Sequence, residues 1–212
     1  MDGYLRELAK YGANLVPMSK VSVQTGTSHG GIPTADGHVA AVKLDFEVLR
    51  AIGDCARTKY GLSGAVQHGA STLPDELFDR FPAAECAEIH LATGFQNMLF
   101  DGGFLPDDLK REMYAWLDAN CADERKADMT DEQFHYKTRK KSYGPFKQKL
   151  FDLPADTRLR FAEALEEKFH FLFEKLGMSH TRAVVDEHVH PVLVHRPIPA
   201  GFKAALEQVT AS

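Results

Sequence analysis

Three short apolar runs, each followed by glycine-containing turns and then by a helical pattern, constrain the fold of this chain most. They cover residues 21–27, 64–67 and 87–91. Successive strand, helix and strand units return the chain in the same direction, so the pattern predicts parallel strands joined by helical crossovers. Because ligands collect at the carboxyl ends of parallel strands, the side chains that follow these runs are the first candidates for a binding site.

Two of the runs lead into the same dipeptide, His-Gly. His29 is followed by Gly30, and His68 is followed by Gly69, with Ser71 two residues further on. Two histidines at the same end of neighbouring strands could share a metal ion, and the glycines would let the backbone approach a phosphate closely. The alternative is that both are hydrogen-bonded loop histidines, which the residues considered alone favour.

Charge and cysteine content exclude several classes of function. The formal net charge of -5 disfavours nucleic acid as a ligand, because phosphate backbones are held by clustered Lys and Arg. The one dense basic run, residues 137–141, is predicted to be a solvated helix face rather than a phosphate-binding patch. The 3 widely spaced cysteines fit free thiols in a reducing cytoplasm. No apolar stretch approaches the ~20 residues of a membrane span, so we expect a cytoplasmic protein without a membrane partner.

Helical periodicity flanks the strands and dominates the second half of the chain. It predicts helices over residues 2–15, 45–60, 109–117, 131–141 and 156–176. The predicted parts are an α/β part at 1–105, a helical extension at 106–178 and a His-rich tail at 179–212.

Several polar residues are predicted to have structural or surface roles. Residues 184–194 alternate in polarity and are predicted to form an edge strand or a loose tail. The histidines within or next to this segment, which are predicted to lie on the surface, are His188, His190 and His195. The acidic residues predicted to be helix caps or surface charges are Asp45, Glu88 and Asp101.

Four segments together resemble the carboxyl-terminal half of class II, zinc-dependent fructose-bisphosphate aldolases. They are SVQTGTSHGG, GAVQHGASTLP, EIHLATGFQN and FHYKTRKKSYGPFKQKL. Members of that family are TIM barrels that reversibly cleave a ketose bisphosphate into dihydroxyacetone phosphate and an aldehyde. The resemblance implies an α/β fold made of the last three or so units of a (β/α)₈ barrel, followed by C-terminal helices. It also implies an aldehyde-lyase activity in glycolysis and gluconeogenesis.

The resemblance further implies a set of site residues. His29 and His68 would be two of the three histidine ligands of the catalytic zinc, and a monovalent cation is a second candidate cofactor. The residues that would contact the sugar phosphate are Gly30, Gly69, Ala70, Ser71, His90, Thr93 and Lys147.

The chain departs from the family pattern in the third strand motif and in the basic segment. His90 stands in place of Asn and Ala92 in place of Asp, so the substrate hydroxyls are expected to be held differently. The residues alone favour a structural role for His90 inside an apolar run. Lys147 lies where the family supplies an Arg to the phosphate site of a neighbouring subunit, and it offers a point charge instead of a bidentate fork.

The family's first zinc histidine and its catalytic aspartate have no counterpart in this chain, so no catalytic residue is assigned. We expect the chain to be the later part of a barrel that is incomplete by itself. The expected ligand is a small sugar phosphate, and the expected assembly is a homo-oligomer or a complex with the missing barrel half. The alternative is a non-catalytic, aldolase-like partner subunit or a phosphosugar-binding module.

Overall fold

Two compact units make up the chain, Met1–Gly177 and Met178–Ser212. The computed structural model describes residues 1–12, 14–26, 34, 40, 44–199 and 201–202. The first unit is mostly helical and contains a small parallel sheet, so it belongs to the α/β class that the strand and helix patterns predict. Among the described residues, no helix is long and apolar enough to cross a membrane.

The three strands follow one another across the sheet in the same order as along the chain. β1 is Val21–Ser22, β2 is Ala65–Gln67 and β3 is Glu88–Ile89, and they lie side by side in that order. All of β2 is buried, as expected for the central strand of a parallel sheet that is covered on both faces. The strand predicted at residues 64–67 is therefore confirmed.

Both outer strands pair in parallel with β2. Val66 lies opposite Ser22 on one side and opposite Glu88 on the other. The strands predicted over residues 21–27 and 87–91 are longer than those observed, in each of which 2 residues pair with β2; Thr27 lies outside the described residues.

Helices form the crossovers between the strands, and all the regular elements described after β3 are helical. They are α1 Asp2–Ala9, α2 Phe46–Tyr60, α3 Arg80–Ala83, α4 Thr93–Asp101, α5 Asp107–Asn120, α6 Asp131–Thr138, α7 Lys147–Phe151, α8 Ala155–Lys175 and α9 Arg182–His188. Short 3₁₀ helices lie at Ala70–Thr72, Asp75–Leu77, Ala122–Glu124 and Arg139–Tyr143.

Local signals set both ends of α2. The Asp45 carboxylate accepts a hydrogen bond from the backbone N–H of Val48 at 3.0 Å, so it caps the helix as predicted. Gly61 follows the last turn with a φ of 64°, the left-handed conformation that favours glycine. The predicted helix at 45–60 is therefore confirmed at both ends.

Two terminal segments differ from the predictions. The helix predicted over residues 2–15 is observed only over Asp2–Ala9; α1 buries none of its residues and Tyr11, the next apolar position, is 81% exposed, so no packing extends the helix further. Residues 184–194 were predicted to form an edge strand or a loose tail. The edge strand is wrong, because the segment is helical as far as His188, and residues 189–194 are exposed and without regular secondary structure, as in a tail. α9 carries an ion pair between Arg182 and Asp186, one turn apart at 2.8 Å.

The core of the first unit lies in two places, one beneath the sheet and one among the helices. The first cluster is Phe46, Leu49, Ala65, Ala70, Leu73, Phe78, Phe81, Ala84 and Leu172. The helical clusters are Phe100, Leu105, Leu109, Met113 and Phe146, and beside them Leu117, Cys121 and Phe134. Because Leu172 belongs to the first cluster, α8 packs back onto the α/β part of the unit.

A buried arginine, paired with the half-exposed carboxylate of Asp101, joins the segment after α6 to α4. Arg139 is 3% exposed and donates to the two carboxylate oxygens of Asp101 at 2.9 and 3.0 Å. It also donates to the amide oxygen of Asn97 at 2.6 Å. Its guanidinium lies over the rings of Phe100 and Tyr136, 5.0 and 4.5 Å from their centroids. Since Asn97, Phe100 and Asp101 all belong to α4, this one side chain fixes the two segments against each other.

Replacing Arg139 with methionine should lower the free energy of unfolding by about 2–4 kcal/mol, because Asp101 and Asn97 lose their buried partner. An Arg158→Met variant on the exposed first turn of α8 should change it by less than about 0.5 kcal/mol. Urea unfolding followed by circular dichroism measures both values. Equal effects in the two variants would contradict the anchoring role of Arg139.

Candidate functional site

A cleft of about 890 Å³ lies at the carboxyl ends of β2 and β3. Its strand side, contributed by the residues that follow these two strands, is His68, Gly69, Ser71, Thr72, His90, Leu91, Ala92, Thr93 and Gln96. Its helical side is Lys126, Asp128, Met129, Gln133, Tyr136, Lys137 and Lys140. Ligands of parallel α/β proteins bind at this end of the sheet, and the volume suits a small molecule.

The strand side brings together most of the predicted site residues that the structure describes. They are His68, Gly69, Ser71, His90 and Thr93. Ala70 does not line the cleft, because it is fully buried in the core beneath the sheet. His29 and Gly30 lie outside the described residues. Lys147 begins α7 and does not line this cleft; the resemblance relates it to a neighbouring subunit, which a single chain does not represent.

A buried glutamine holds the end of β2 in place. Gln67 is fully buried, and its amide oxygen accepts a hydrogen bond from the Thr25 hydroxyl at 2.7 Å. Its amide nitrogen donates to the carbonyl oxygen of His68. Gln67 therefore links the chain after β1 to the first residue of the cleft. This pair was not predicted from the sequence, although a glutamine in an apolar strand is a signal for a buried polar contact.

Two imidazole rings lie together in the cleft. His68 and His90 stack with their centroids 4.3 Å apart and their planes at 21°. His90 Nε2 is hydrogen-bonded to Glu88, whose second carboxylate oxygen accepts from Lys20. These contacts hold the pKa of Glu88 below its usual range, with the Lys20 ammonium contributing most and His90 next. Glu88 thus orients His90 at the mouth of the sheet, a role that its prediction as a surface charge does not include.

Ser71 and the first turn of α4 form the part of the cleft that fits a phosphate. Ser71 Oγ accepts a hydrogen bond from the backbone N–H of Ala92 at 2.8 Å, and its own O–H remains able to donate. Ala92 is the N-cap of α4 and provides no side-chain cap. The first intrahelical hydrogen bonds of α4 are donated by Phe95 and Gln96 to the carbonyl oxygen of Ala92, so the N–H groups of Thr93 and Gly94 precede them and the helix dipole favours an anion there.

Gly94 allows this close arrangement of α4 and the turn after β2. A Cβ at Gly94 would lie 3.0 Å from the carbonyl oxygen of Ser71, closer than side chains tolerate. Glycine at this position therefore lets the helix begin directly beside Ser71, because it presents no side chain to the turn.

Thr72 contributes an unsatisfied hydroxyl to the same region. It ends the 3₁₀ helix Ala70–Thr72 and provides no side-chain cap to the next one. In the described part of the chain, Thr72 Oγ1 is the buried side-chain oxygen that has no hydrogen-bond partner. Leaving such a group unpaired costs about 1–3 kcal/mol.

The helical side makes the cleft positively charged. Lys126, Lys137 and Lys140 line it together with the single carboxylate of Asp128. The predicted solvated face at 137–141 is therefore wrong for Arg139, which is buried, whereas Lys137 and Lys140 are exposed into the cleft. Sequence reasoning did not assign these lysines to the site, because it could not orient this segment towards the sheet.

The described residues do not form a zinc site by themselves. Within them, no group of three or more His, Cys, Asp or Glu side chains is arranged to hold a metal. His68 and His90 stack face to face, so their nitrogen lone pairs, which lie in the ring planes, do not converge on one point. His29, the other histidine that the resemblance implies as a ligand, is outside the described residues.

No protein-family model matches this chain, and no curated protein is significantly similar to it. The aldolase resemblance therefore depends on the four sequence segments and on the residues that those segments bring into the cleft.

A double-mutant cycle tests the support beneath the cleft. Gln67→Leu should lower the free energy of unfolding by about 1–3 kcal/mol, because it leaves the Thr25 hydroxyl buried without an acceptor. Thr25→Val should have a similar effect, and the double variant should cost less than the sum of the two. Thr58→Val, at an exposed helix position, is the control. Strictly additive costs in urea unfolding would contradict the Thr25–Gln67 bond.

The pKa of Glu88 offers a second test. Lys20→Met should raise it towards the usual glutamate value, and Lys10→Met, which removes a lysine paired with Glu7, should not. A lowered carboxyl pKa stabilises the fold above its unfolded pKa, and this stabilisation is lost as the pH falls through the folded pKa. The stability difference between the wild type and Lys20→Met should therefore be present at neutral pH and vanish in acid. Carboxyl NMR titration and urea midpoints measure both effects; an unshifted Glu88 would exclude the Lys20 contact.

Proposed function

We propose that this chain is the carboxyl-terminal part of a class II fructose-bisphosphate aldolase and binds the phosphate of a ketose phosphate in the cleft. In this proposal the three parallel strands are consecutive strands of an incomplete (β/α)₈ barrel. The observation that carries it is the meeting of His68, Ser71 and the N-terminus of α4 at the carboxyl ends of neighbouring strands. Binding at that end is the rule for parallel α/β proteins.

The chemistry of the strand side suits a phosphate monoester. Ser71 O–H and the first N–H groups of α4 donate to the phosphate oxygens, while the helix dipole stabilises the negative charge. Gly69, in a left-handed conformation with a φ of 70°, turns the chain sharply after His68 and brings Ser71 back to the cleft. Three lysines on the helical side raise the local positive potential, which attracts anionic ligands.

Aldol cleavage needs more than these groups. Zinc, when bound, supplies the Lewis acid that stabilises an enediolate in class II aldolases. The described residues do not complete such a site, so we assign to them the binding and orientation of the phosphorylated substrate. His29, a third ligand and an acid–base group would have to join His68, through an oligomer or a complementary barrel half.

A phosphosugar-binding module without catalytic activity is the second candidate. The contacts of His90 favour this candidate. Its ring stacks on His68, the histidine that the resemblance implies as a zinc ligand, and is hydrogen-bonded to Glu88. Ala92, at the position where the resemblance implies an aspartate, brings no carboxylate to the site.

Binding of fructose 1-phosphate tests both candidates, because each requires the phosphate site. Ser71→Ala should weaken the affinity about tenfold, since it removes one hydrogen bond to a charged group. Ser63→Ala, an exposed serine outside the cleft, is the matched control. Isothermal titration calorimetry with the 212-residue chain gives the dissociation constants. Undetectable binding by the wild type would contradict both candidates.

Retro-aldol activity towards fructose 1,6-bisphosphate, assayed with added zinc, separates the two candidates. An aldolase should lose turnover in His68→Ala and retain it in Ser63→Ala. Turnover by the wild type would exclude the non-catalytic module, whereas binding without turnover is expected both of that module and of an aldolase part that lacks its complementary barrel half.

A further inference from the structure

The side chains of the basic run at residues 137–141 have three different surroundings. Arg139 is buried against Asp101, and Lys141 is paired with Glu124. Lys137 and Lys140 line the cleft instead. The run looks like one uniform charged face in the sequence, but in the fold only Lys137 and Lys140 face the cleft.

The geometry of α6 explains this division. Thr130 caps the helix and Gln133 completes a capping box with it, with hydrogen bonds of 3.3 and 3.0 Å that fix where the helix begins. Gln133, Tyr136, Lys137 and Lys140 occupy positions i, i+3, i+4 and i+7, which share one face of a helix, and all four line the cleft. Phe134 is buried on another face of the helix, which sets its rotation.

The lysines on this side are not bound directly to carboxylates in the described part of the chain. No ion pair joins Lys126, Lys137 or Lys140 to a carboxylate among these residues. Glu124 is hydrogen-bonded to Lys141, and it interacts with Lys137 and Lys140 only through longer-range electrostatics. The helical side of the cleft therefore holds three lysines and the one carboxylate of Asp128, and its net positive charge attracts an anionic ligand.

We propose that Lys137 and Lys140, assisted by Lys126, bind the second phosphate of a bisphosphorylated sugar whose first phosphate is held at Ser71 and α4. This inference rests on the proposed function and adds to it the residues that select a bisphosphate over a monophosphate. It places the second phosphate on side chains of the same chain, whereas the aldolase resemblance relates Lys147 to a neighbouring subunit's phosphate site. The cleft of about 890 Å³ is large enough to hold a bisphosphorylated hexose.

Calorimetric titration of the 212-residue chain with fructose 1,6-bisphosphate and, separately, with fructose 1-phosphate tests this assignment. The double variant Lys137→Gln/Lys140→Gln should bind the bisphosphate about tenfold more weakly and the monophosphate within about twofold of the wild type. The bisphosphate affinity of the wild type should also fall more steeply with added salt than that of the variant. Lys141→Gln is the matched control, because it removes the same charge from the same run outside the cleft.

The outcomes separate this inference from the proposed function. If Ser71→Ala weakens both ligands but the double variant weakens neither, the lysine site is wrong and the phosphate site at Ser71 stands. If Lys147→Gln, and not the double variant, lowers bisphosphate affinity, the second phosphate is held as the resemblance implies and the inference is overturned. If the double variant weakens both ligands equally, the lysines act only through general charge and select nothing. Failure of the wild type to bind either ligand overturns both proposals.

Discussion

The parallel pairing of β2 with a strand on each side is the constraint on which the candidate site depends. β2 is buried along its length, and its register places Val66 between Ser22 and Glu88. Because parallel strands end at the same edge, this pairing delivers the residues after β2 and β3 to one cleft. The hydrogen bonds of the Gln67 amide with the Thr25 hydroxyl and the His68 carbonyl then hold that edge in position.

The buried Arg139 is a second constraint, because it positions the lysines that face the cleft. Its partners Asn97 and Asp101 lie on α4, the helix whose first turn faces the cleft. By fixing the segment after α6 to the far part of α4, Arg139 places Lys137 and Lys140 on the same cleft as the α4 N-terminus. One basic segment therefore supplies both a structural contact in the interior and cations at the site.

The described residues of the cleft offer groups that can bind an anion, but they do not form a complete set for aldol cleavage. Groups suited to phosphate are present on both sides: a hydroxyl, a helix N-terminus and the ammonium groups of three lysines. The imidazoles are arranged differently, since His90 is bonded to Glu88 and stacks on His68. In the proposed function the described residues bind the phosphate, and cleavage would require a rearranged or more complete set of groups around His68.

The sequence by itself determined the features that depend on local chemistry. The α/β class, β2, both ends of α2 and the extent of α8 follow from hydrophobic periodicity, the Asp45 cap and the Gly61 turn. The glycine and serine that follow His68 identified the strand side of the cleft. Only the tertiary structure decided that Gln67 pairs with Thr25, that Glu88 orients His90, and that Arg139 turns inward while its neighbours Lys137 and Lys140 face the site. These contacts join residues that are distant in sequence or depend on the rotation of a packed helix, so no local pattern encodes them. The ends of α1 and the helical α9 differ from expectation for the related reason that apolar periodicity specifies an element only where packing makes use of it.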